Sequence, residues 1–338
     1  MHEAETLRKV VSPPPQASLV TVVIRSLGRP HLASALASVA RQTHREIEVL
    51  MVDATGGKHP SMADRCGDFP LRFISGSNPL TRPEAANRGL DHARGAWIIF
   101  LDDDDFFEPG HIASLLKVAT ENQTTVAYAG TCMLDENDHA AGVLNERYGR
   151  LKLCAGNFMQ IGAVLFHRSL LHQGCRFDER MLLYQDWDFW LQLSRFSHFA
   201  HAPEITNNWR VRTGQSGAGV GANANLLLQA EFTRKVKDKW QRHHDRLIKF
   251  VHDAVRRCNH QISTGRAKRA VKWLRRALTV MPNDPTLTNL FGLAKYQAGD
   301  LTGAWHALDN AHALLPENDA IGRNLAQVEK QRRVRRSR

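Results

Sequence analysis

Apolar residues along the first two thirds of the chain fall into short dense runs separated by sparser segments of helical spacing. Leu19-Val20-Thr21-Val22-Val23-Ile24 is apolar and β-branched with little alternation, which predicts a strand buried on both faces. Ile47 to Asp53 predicts a second such strand, Leu71 to Ile74 a third, and Trp97 to Leu101 a fourth. Between them lie helical segments. Leu32, Leu36 and Val39 recur at helical spacing within His31 to Thr43, and Glu84 to Arg94 and His111 to Glu121 read the same way. Ala163 to Phe166 is a later apolar strand. Strand–helix alternation of this kind predicts an α/β domain with a mostly parallel sheet and helices on both faces.

The pattern changes near residue 221. Gly214 to Gly221 is a polar, Gly-rich bridge, and Asn225 to about His260 predicts one long helix. Beyond it Gly265, Ala270, Leu274, Ala277 and Pro282 are matched 34 residues later by Gly299, Ala304, Leu308, Ala311 and Pro316. A 34-residue period with small residues at helix crossings and Pro after the second helix resembles the tetratricopeptide repeat. The expected organisation is therefore a disordered leader over 1–16 and an α/β domain over 17–221. An all-α region over 222–330 follows, with repeats at about 251–284 and 285–318, and then a basic tail over 331–338.

Composition narrows the setting. No apolar run approaches the ~18 residues a membrane-spanning helix needs, and the start lacks the apolar core of a secretory signal. The five cysteines, Cys66, Cys132, Cys154, Cys175 and Cys258, are scattered without a C-x-x-C pair. That usage predicts a reducing compartment, the cytoplasm by default, and argues against a disulfide framework or structural zinc. Residues 1–230 hold 22 Lys and Arg against 24 Asp and Glu, a net of −2, whereas residues 231–338 hold 23 against 10, a net of +13. The basic excess thus belongs to the C-terminal third.

The candidate chemistry sits where strands end. In an open parallel sheet, ligands bind beyond the carboxyl ends of the strands. Asp53 ends the second strand, and the fourth runs directly into Asp102-Asp103-Asp104-Asp105, followed by two phenylalanines. Two carboxylates ~5 Å apart repel by roughly 3 kcal/mol at an effective dielectric near 20, so a cation is expected among them. If strand geometry persists, Asp102 and Asp104 face one way and Asp103 and Asp105 the other. Carboxylates with water suit Mg²⁺ or Mn²⁺, ions that often bridge to phosphates. The bland alternative is an acidic turn capping the next helix.

Two stretches, "VTVVIRSLGRPHLASALASVARQTHREIEVLMVDA" and "RPEAANRGLDHARGAWIIFLDDDDFFEPGHI", resemble the family 2 glycosyltransferases of the GT-A fold. The likeness covers roughly residues 18–215. It takes in the Gln42-Thr43 turn, the Asp that ends the second strand, Asn87-Arg88-Gly89 and the D-x-D strand. It implies that Asp53 contacts the nucleotide base, that Asp104, with Asp102, holds the metal on the donor diphosphate, and that Asp102 also lies towards the ribose. Arg82, Asn87, Asp103, Arg210 and Arg212 complete the donor-binding set it implies. Where the family often has a second acidic residue and Gly-Ser after the first Asp, this chain reads Ala54-Thr55-Gly56-Gly57. The family's catalytic base maps to Gln185-Asp186, hence Asp186; a helix N-cap is the alternative role. Trp187 and Trp190, three apart, read either as core or as a sugar platform, and Gly156 to Gly162 would line the acceptor side.

The resemblance implies an inverting, metal-assisted transfer from a nucleotide-diphosphate sugar to a glycan or lipid-linked acceptor in cell-surface polysaccharide biosynthesis. Lys235 to Lys249 and Arg266 to Arg276 mark two basic helices. They suggest peripheral contact with anionic membrane at its inner face; the repeats suggest a protein partner. Nucleic acid is disfavoured because no reading module accompanies the charge. The rivals are a nucleotidyltransferase, for which "IRSLGRPHL" is a poor phosphate loop, and a non-catalytic nucleotide-sugar-binding scaffold.

Overall fold

The computed structural model describes residues 18–211 and 225–336. The leader, the Gly-rich bridge and Arg212 lie outside the described residues. Two compact units divide them: the residues up to Tyr148 together with Gly156–Trp240, and Gly149–Ala155 together with the residues from Gln241 onward.

In the first unit ten strands form one mixed sheet. They are β1 (Val20–Ser26), β2 (Ile47–Asp53), β3 (Arg65–Cys66), β4 (Phe69–Ile74), β5 (Trp97–Asp102), β6 (Phe106–Phe107), β7 (Val126–Leu134), β8 (Ala140–Leu144), β9 (Val164–His167) and β10 (Phe199–Arg210). The order is β3-β4-β2-β1-β5-β9-β7-β10-β6, with β8 on β7. The central pairs β4-β2-β1-β5 are parallel, as is β7-β10, and β9 runs antiparallel between β5 and β7. The parallel core brings the ends of β1, β2 and β5 to one edge, where Ser26 pairs with Asp53 and Arg25 with Asp102.

Both faces of the sheet are covered. Val20, Val22, Ile24, Ile99 and Leu101 pack with α1 (Leu32–Ala40) and α3 (His111–Glu121) in one buried cluster. Val23, on the opposite face, lies under α2 (Arg82–His92), where a Cβ added to Gly89 would come within 2.4 Å of it. That close approach explains the glycine of Asn87-Arg88-Gly89. Farther along this face Phe177 stacks on Phe189 of α5 (Gln185–Ser194), Phe166 meets Phe189 edge-on, and Phe100 stacks on Phe166 and meets Phe177 edge-on. Trp187 and Trp190 of α5 are buried, and the Trp190 indole N–H donates to the Met159 carbonyl. Both are core rather than a sugar platform.

The second unit is helical. It holds α4 (Arg150–Ala155), the later part of α6 (Leu226–Ser263), α7 (Ala267–Leu278), α8 (Pro285–Gln297), α9 (Leu301–Leu314) and α10 (Asp319–Arg336). The residues matched at the 34-residue offset occupy equivalent places. Gly265 and Gly299 both turn with positive φ, and Ala270, Leu274, Ala277, Ala304, Leu308 and Ala311 are all fully buried. The basic tail expected from 331 onward is instead the end of α10, which continues to Arg336 because Lys, Gln and Arg are good helix formers and no Gly or Pro interrupts them. Among the described residues no helix is long and apolar enough to cross a membrane.

Candidate active site

The edge formed by β1, β2 and β5 gathers most of the residues singled out from the sequence. β5 ends at Asp102, and the chain turns there, with the Asp105 N–H bonded to the Asp102 carbonyl at 3.1 Å. The strand-like alternation nevertheless persists through the turn. The side chains of Asp102 and Asp104 remain 24% and 16% exposed, whereas Asp103 and Asp105 are buried.

Each of the four carboxylates has a distinct set of partners. Asp102 Oδ1 accepts from Arg25 Nε and Nη2 at 2.9 and 2.5 Å. Asp103 Oδ2 accepts from the Ser26 hydroxyl and the Leu27 N–H at 2.9 and 2.7 Å and lies 3.4 Å from the Arg29 nitrogen. Asp104 Oδ2 accepts from Arg29 Nη1 at 2.5 Å. Asp105 accepts from Gln160 Nε2 at 2.9 Å and the Arg210 N–H at 3.0 Å. Asp103 therefore fastens the loop after β1, and Asp105 ties the turn to the 156–162 loop and β10. Asp102 and Asp104 face outward.

The ionisation of these groups follows the same division. Burial disfavours the Asp102 carboxylate, but the charges of Arg25 and Arg82 outweigh it and lower its pKa. For Asp104, burial and the Asp102 and Asp103 charges outweigh Arg29 and raise it. Burial, with Asp104 and Asp102, raises Asp105 far above the usual range.

Asp53, at the end of β2, is 1% exposed. Its Oδ1 accepts from the N–H and hydroxyl of Thr55, both at 2.7 Å. Its Oδ2 accepts from the Gly57 N–H at 2.9 Å and the Ser75 hydroxyl at 2.7 Å. Gly56 and Gly57 both have positive φ, which turns the Gly57 N–H back onto the carboxylate. Burial opposes ionisation here, yet the Ser75, Thr55 and Gly57 bonds prevail and hold the group at about 2.

Asn87 on α2 accepts from the Phe177 N–H at 3.0 Å and donates to the Phe177 carbonyl and to Glu179 at 3.0 and 2.9 Å. It thereby pins the segment that leads into α5. Arg82 opens α2, where burial lowers its pKa and the charges of Asp102, Arg25, Arg29 and Asp104 all act on it. Arg210 is bidentate to Asp138 at 2.6 and 3.1 Å and donates to the Asp104 carbonyl at 2.9 Å, with its guanidinium 4.7 Å from the Phe106 ring centre.

Asp186 lies in the first turn of α5, whose N-cap residue is Tyr184 in a left-handed conformation. It is thus not the N-cap. Its carboxylate accepts from Asn157 Nδ2 at 3.0 Å and from the Trp187 N–H at 2.8 Å. Burial raises its pKa, and Trp187, Arg25 and Asn157 pull it partly back. The charge of Arg25 thus acts on both Asp102 and Asp186. Asp188 serves another end: it is fully buried and bonded to Lys239 at 2.9 Å, Trp240 Nε1 at 2.8 Å and Gln192 at 2.9 Å, anchoring the start of α6.

Arg25, Arg29 and Ser26 were absent from the residues chosen by sequence. Arg25 had a signal, an arginine placed inside an otherwise apolar buried strand; Arg29 had none. For a divalent ion, Asp102 and Asp104 supply two outward carboxylates, and among the described residues no cluster of three or more His, Cys, Asp or Glu forms a closed cage. This donor set fits Mg²⁺ or Mn²⁺, which take one or two carboxylates and complete their shell with substrate phosphate and water. The raised Asp104, incompletely balanced by Arg29, fits a cation as well.

Residues 18–164 match the model of glycosyl transferase family 2. An uncharacterized glycosyltransferase of Rickettsia typhi is 25% identical over 210 residues, covering 59% of this chain and 65% of that one, so the chain spans just under two thirds of this relative's length. A PGL/p-HBAD biosynthesis glycosyltransferase of Mycobacterium bovis is 26% identical over 256 residues, covering 72% and 93% of the two chains. Among solved structures, S. aureus TarS 1-349 in complex with UDP aligns with a TM-score of 0.48 at 13% identity, over 93% of this chain and 91% of that one. The mannosyltransferase PcManGT of Pyrobaculum calidifontis, in complex with GDP-Man and Mn²⁺, aligns with a TM-score of 0.45 at 14% identity, over 95% and 82%. β5 runs into its aspartates beside β1 and β2, and the match to the model of glycosyl transferase family 2 covers these same strands, so residues 18–164 are similar to the domain of that family.

Proposed function

We propose that the α/β unit transfers a sugar, with inversion, from a nucleotide-diphosphate donor to a hydroxyl of a glycan or lipid-linked acceptor, with Asp186 as the base. The observation that carries this reading is the pairing of two kinds of carboxylate under one arginine. Arg25 binds Asp102 on the donor side, and its charge also acts on the buried Asp186. Asp186 accepts the acceptor's proton as the hydroxyl oxygen attacks the anomeric carbon, and its raised proton affinity improves that transfer. Asn157 orients the carboxylate, and Asn87 steadies the 177–179 segment before it. Arg29 and Arg82 supply positive charge for the diphosphate. Mg²⁺ or Mn²⁺, held by Asp104 and Asp102, would offset the charge developing on the leaving nucleoside diphosphate. At β2 the base meets the 53–57 turn. Both Asp53 oxygens already accept two bonds, so a base N–H contacts Asp53 only where the Ser75 or Thr55 hydroxyl yields. Titrating uridine and guanosine diphosphates with Mn²⁺ or with EDTA tests this. Binding that needs the metal and disappears in Asp104→Ala supports the reading; metal-independent binding that survives the substitution contradicts it.

The second unit carries a basic surface of its own that suits an anionic one. The exposed positions of α7 are Lys268, Arg269, Lys272 and Arg275, all basic. The guanidiniums of Arg257 and Arg276 lie 5.1 and 5.2 Å from the Trp273 ring centre. Peripheral contact with the anionic inner face of a membrane suits such a helix and a lipid-linked acceptor, each basic residue contributing ~1 kcal/mol. Replacing the four exposed residues by Gln should abolish sedimentation with anionic vesicles; undiminished sedimentation would exclude this surface.

A further inference from the structure

The loop from Gly156 to Gly162 is bonded at both ends, and a single buried side chain makes three of those bonds. Near its start Asn157 Nδ2 donates to Asp186 at 3.0 Å, while Asn157 Oδ1 accepts from the Met159 N–H at 3.2 Å. The Met159 carbonyl accepts from the Trp190 indole of α5 at 3.3 Å. Gln160, 8% exposed, binds different elements. Its Nε2 donates to Asp105 Oδ2 at 2.9 Å, and its Oε1 accepts from the Gly162 N–H at 2.5 Å and from Asn207 Nδ2 of β10 at 2.9 Å. Asn207 is fully buried and also donates to Thr131 Oγ1 at 3.0 Å. Gly162 is pressed against this group: a Cβ there would come within 2.6 Å of Asn207 Oδ1 and 3.0 Å of Gln160 Oε1.

We infer that Gln160 is a positioning residue of the sugar transfer: it fixes the loop that carries Asn157, and so sets where Asp186 stands relative to the aspartate turn after β5. The inference rests on the reading of Asp186 as the base. Three arguments support it. The first is that the Gln160 amide has one workable orientation. Flipped, it would set its oxygen against Asp105 and its N–H groups against the Gly162 and Asn207 donors. The second is that the path to the base is short. Asn157 and Gln160 are three residues apart, a reach of at most ~11 Å, and Met159 between them is bonded as well. The third is an asymmetry. Without Gln160 the turn stays fastened, since Asp105 keeps the Arg210 N–H at 3.0 Å and its own N–H keeps the Asp102 carbonyl at 3.1 Å. The loop, by contrast, loses all three side-chain bonds at its far end. Removing Gln160 therefore disturbs the base and spares the donor side.

The test compares wild type, Gln160→Met, Asn157→Ala and the double variant of the full chain. It measures nucleoside diphosphate release from UDP- and GDP-sugars across pH in Mn²⁺, together with the affinity for uridine and guanosine diphosphate. Gln160→Met should release about 10- to 100-fold more slowly, the scale of a reacting group misplaced by about 1 Å, with diphosphate affinity unchanged. Its acidic limb should move to higher pH, as in Asn157→Ala, because Asn157 no longer holds the Asp186 carboxylate. The double variant should be no slower than the slower single one, since both changes act through the same bond. Gln160→Ser keeps an acceptor for the Gly162 N–H, and it carries the test if the Met variant does not fold. Four results would each overturn the inference and leave Asp186 as the base: wild-type release by a folded Gln160 variant, an unmoved limb, losses that multiply in the double variant, or a fall in diphosphate affinity as large as the fall in rate. Release by Asp186→Asn at the wild-type rate would overturn the base reading, and this inference with it.

Discussion

Replacing Asp53 by Asn isolates what the end of β2 contributes to the site's edge. The change keeps the side chain's size and one acceptor oxygen. It puts an amide where Oδ2 accepts from the Gly57 N–H and the Ser75 hydroxyl. The magnitude follows from the proton affinity. A fall from 3.8 to about 2 is worth about 2.5 kcal/mol of folding stability at neutral pH. At 1% exposure there is little solvent screening to discount. The sign is that of a depressed carboxylate: its contribution is complete above the unfolded value of 3.8 and is lost as the pH falls through about 2. At pH 3 roughly half of it remains. The assay is scanning calorimetry of wild type and Asp53→Asn at pH 7 and pH 3, following the transition of the α/β unit. A loss of this size should lower that transition by roughly 5–10 °C at pH 7, and the gap between the two proteins should narrow by about 1 kcal/mol at pH 3. A gap below about 1 kcal/mol at pH 7, or one of the same size at both pH values, would refute the reasoning.

Two further outcomes follow from the same geometry. Although Lys239 keeps Asp178 at 2.8 Å, Asp188→Ala removes the carboxylate that accepts from the buried Trp240 indole N–H at 2.8 Å and pairs with Lys239 at 2.9 Å. It should destabilise the first unit by about 3 kcal/mol and expose residues 226–240 to limited proteolysis; an unchanged digestion pattern would argue against the anchor. Burial raises the Asp186 carboxyl above the ordinary 3.8, so the acidic limb of kcat/KM should lie above that value. Asn157→Ala, which removes a bond to the carboxylate, should move the limb to higher pH; movement to lower pH would contradict the assigned role.

What the sequence revealed divides along the range of the interactions. β2 and α3 have the predicted limits, and β1, β5, α1 and α2 lie within a few residues of them, because apolar runs and helical spacing are local signals. The alternation that turns Asp102 and Asp104 outward was legible for the same reason, even though β5 stops at Asp102. β7 and β10 carry too many Gly, Thr, His and Asn residues to stand out, and their antiparallel neighbours depend on pairing that no single segment encodes. The partners that tune the site are equally nonlocal: Arg25 meets Asp102 across 77 positions and Asn157 meets Asp186 across 29. A string of residue types shows that carboxylates are present. It does not show that Asp103 is spent on a loop, or that Asp188 is spent on α6.

The central claim is that Asp186 acts as the base beside a donor held at Asp102 and Asp104. Its most direct test measures nucleoside diphosphate release from UDP- and GDP-sugars by wild type and Asp186→Asn, together with donor affinity, in Mn²⁺. The account predicts donor binding like that of wild type and a release rate lower by roughly 100- to 10,000-fold. Release by Asp186→Asn at the wild-type rate would contradict it.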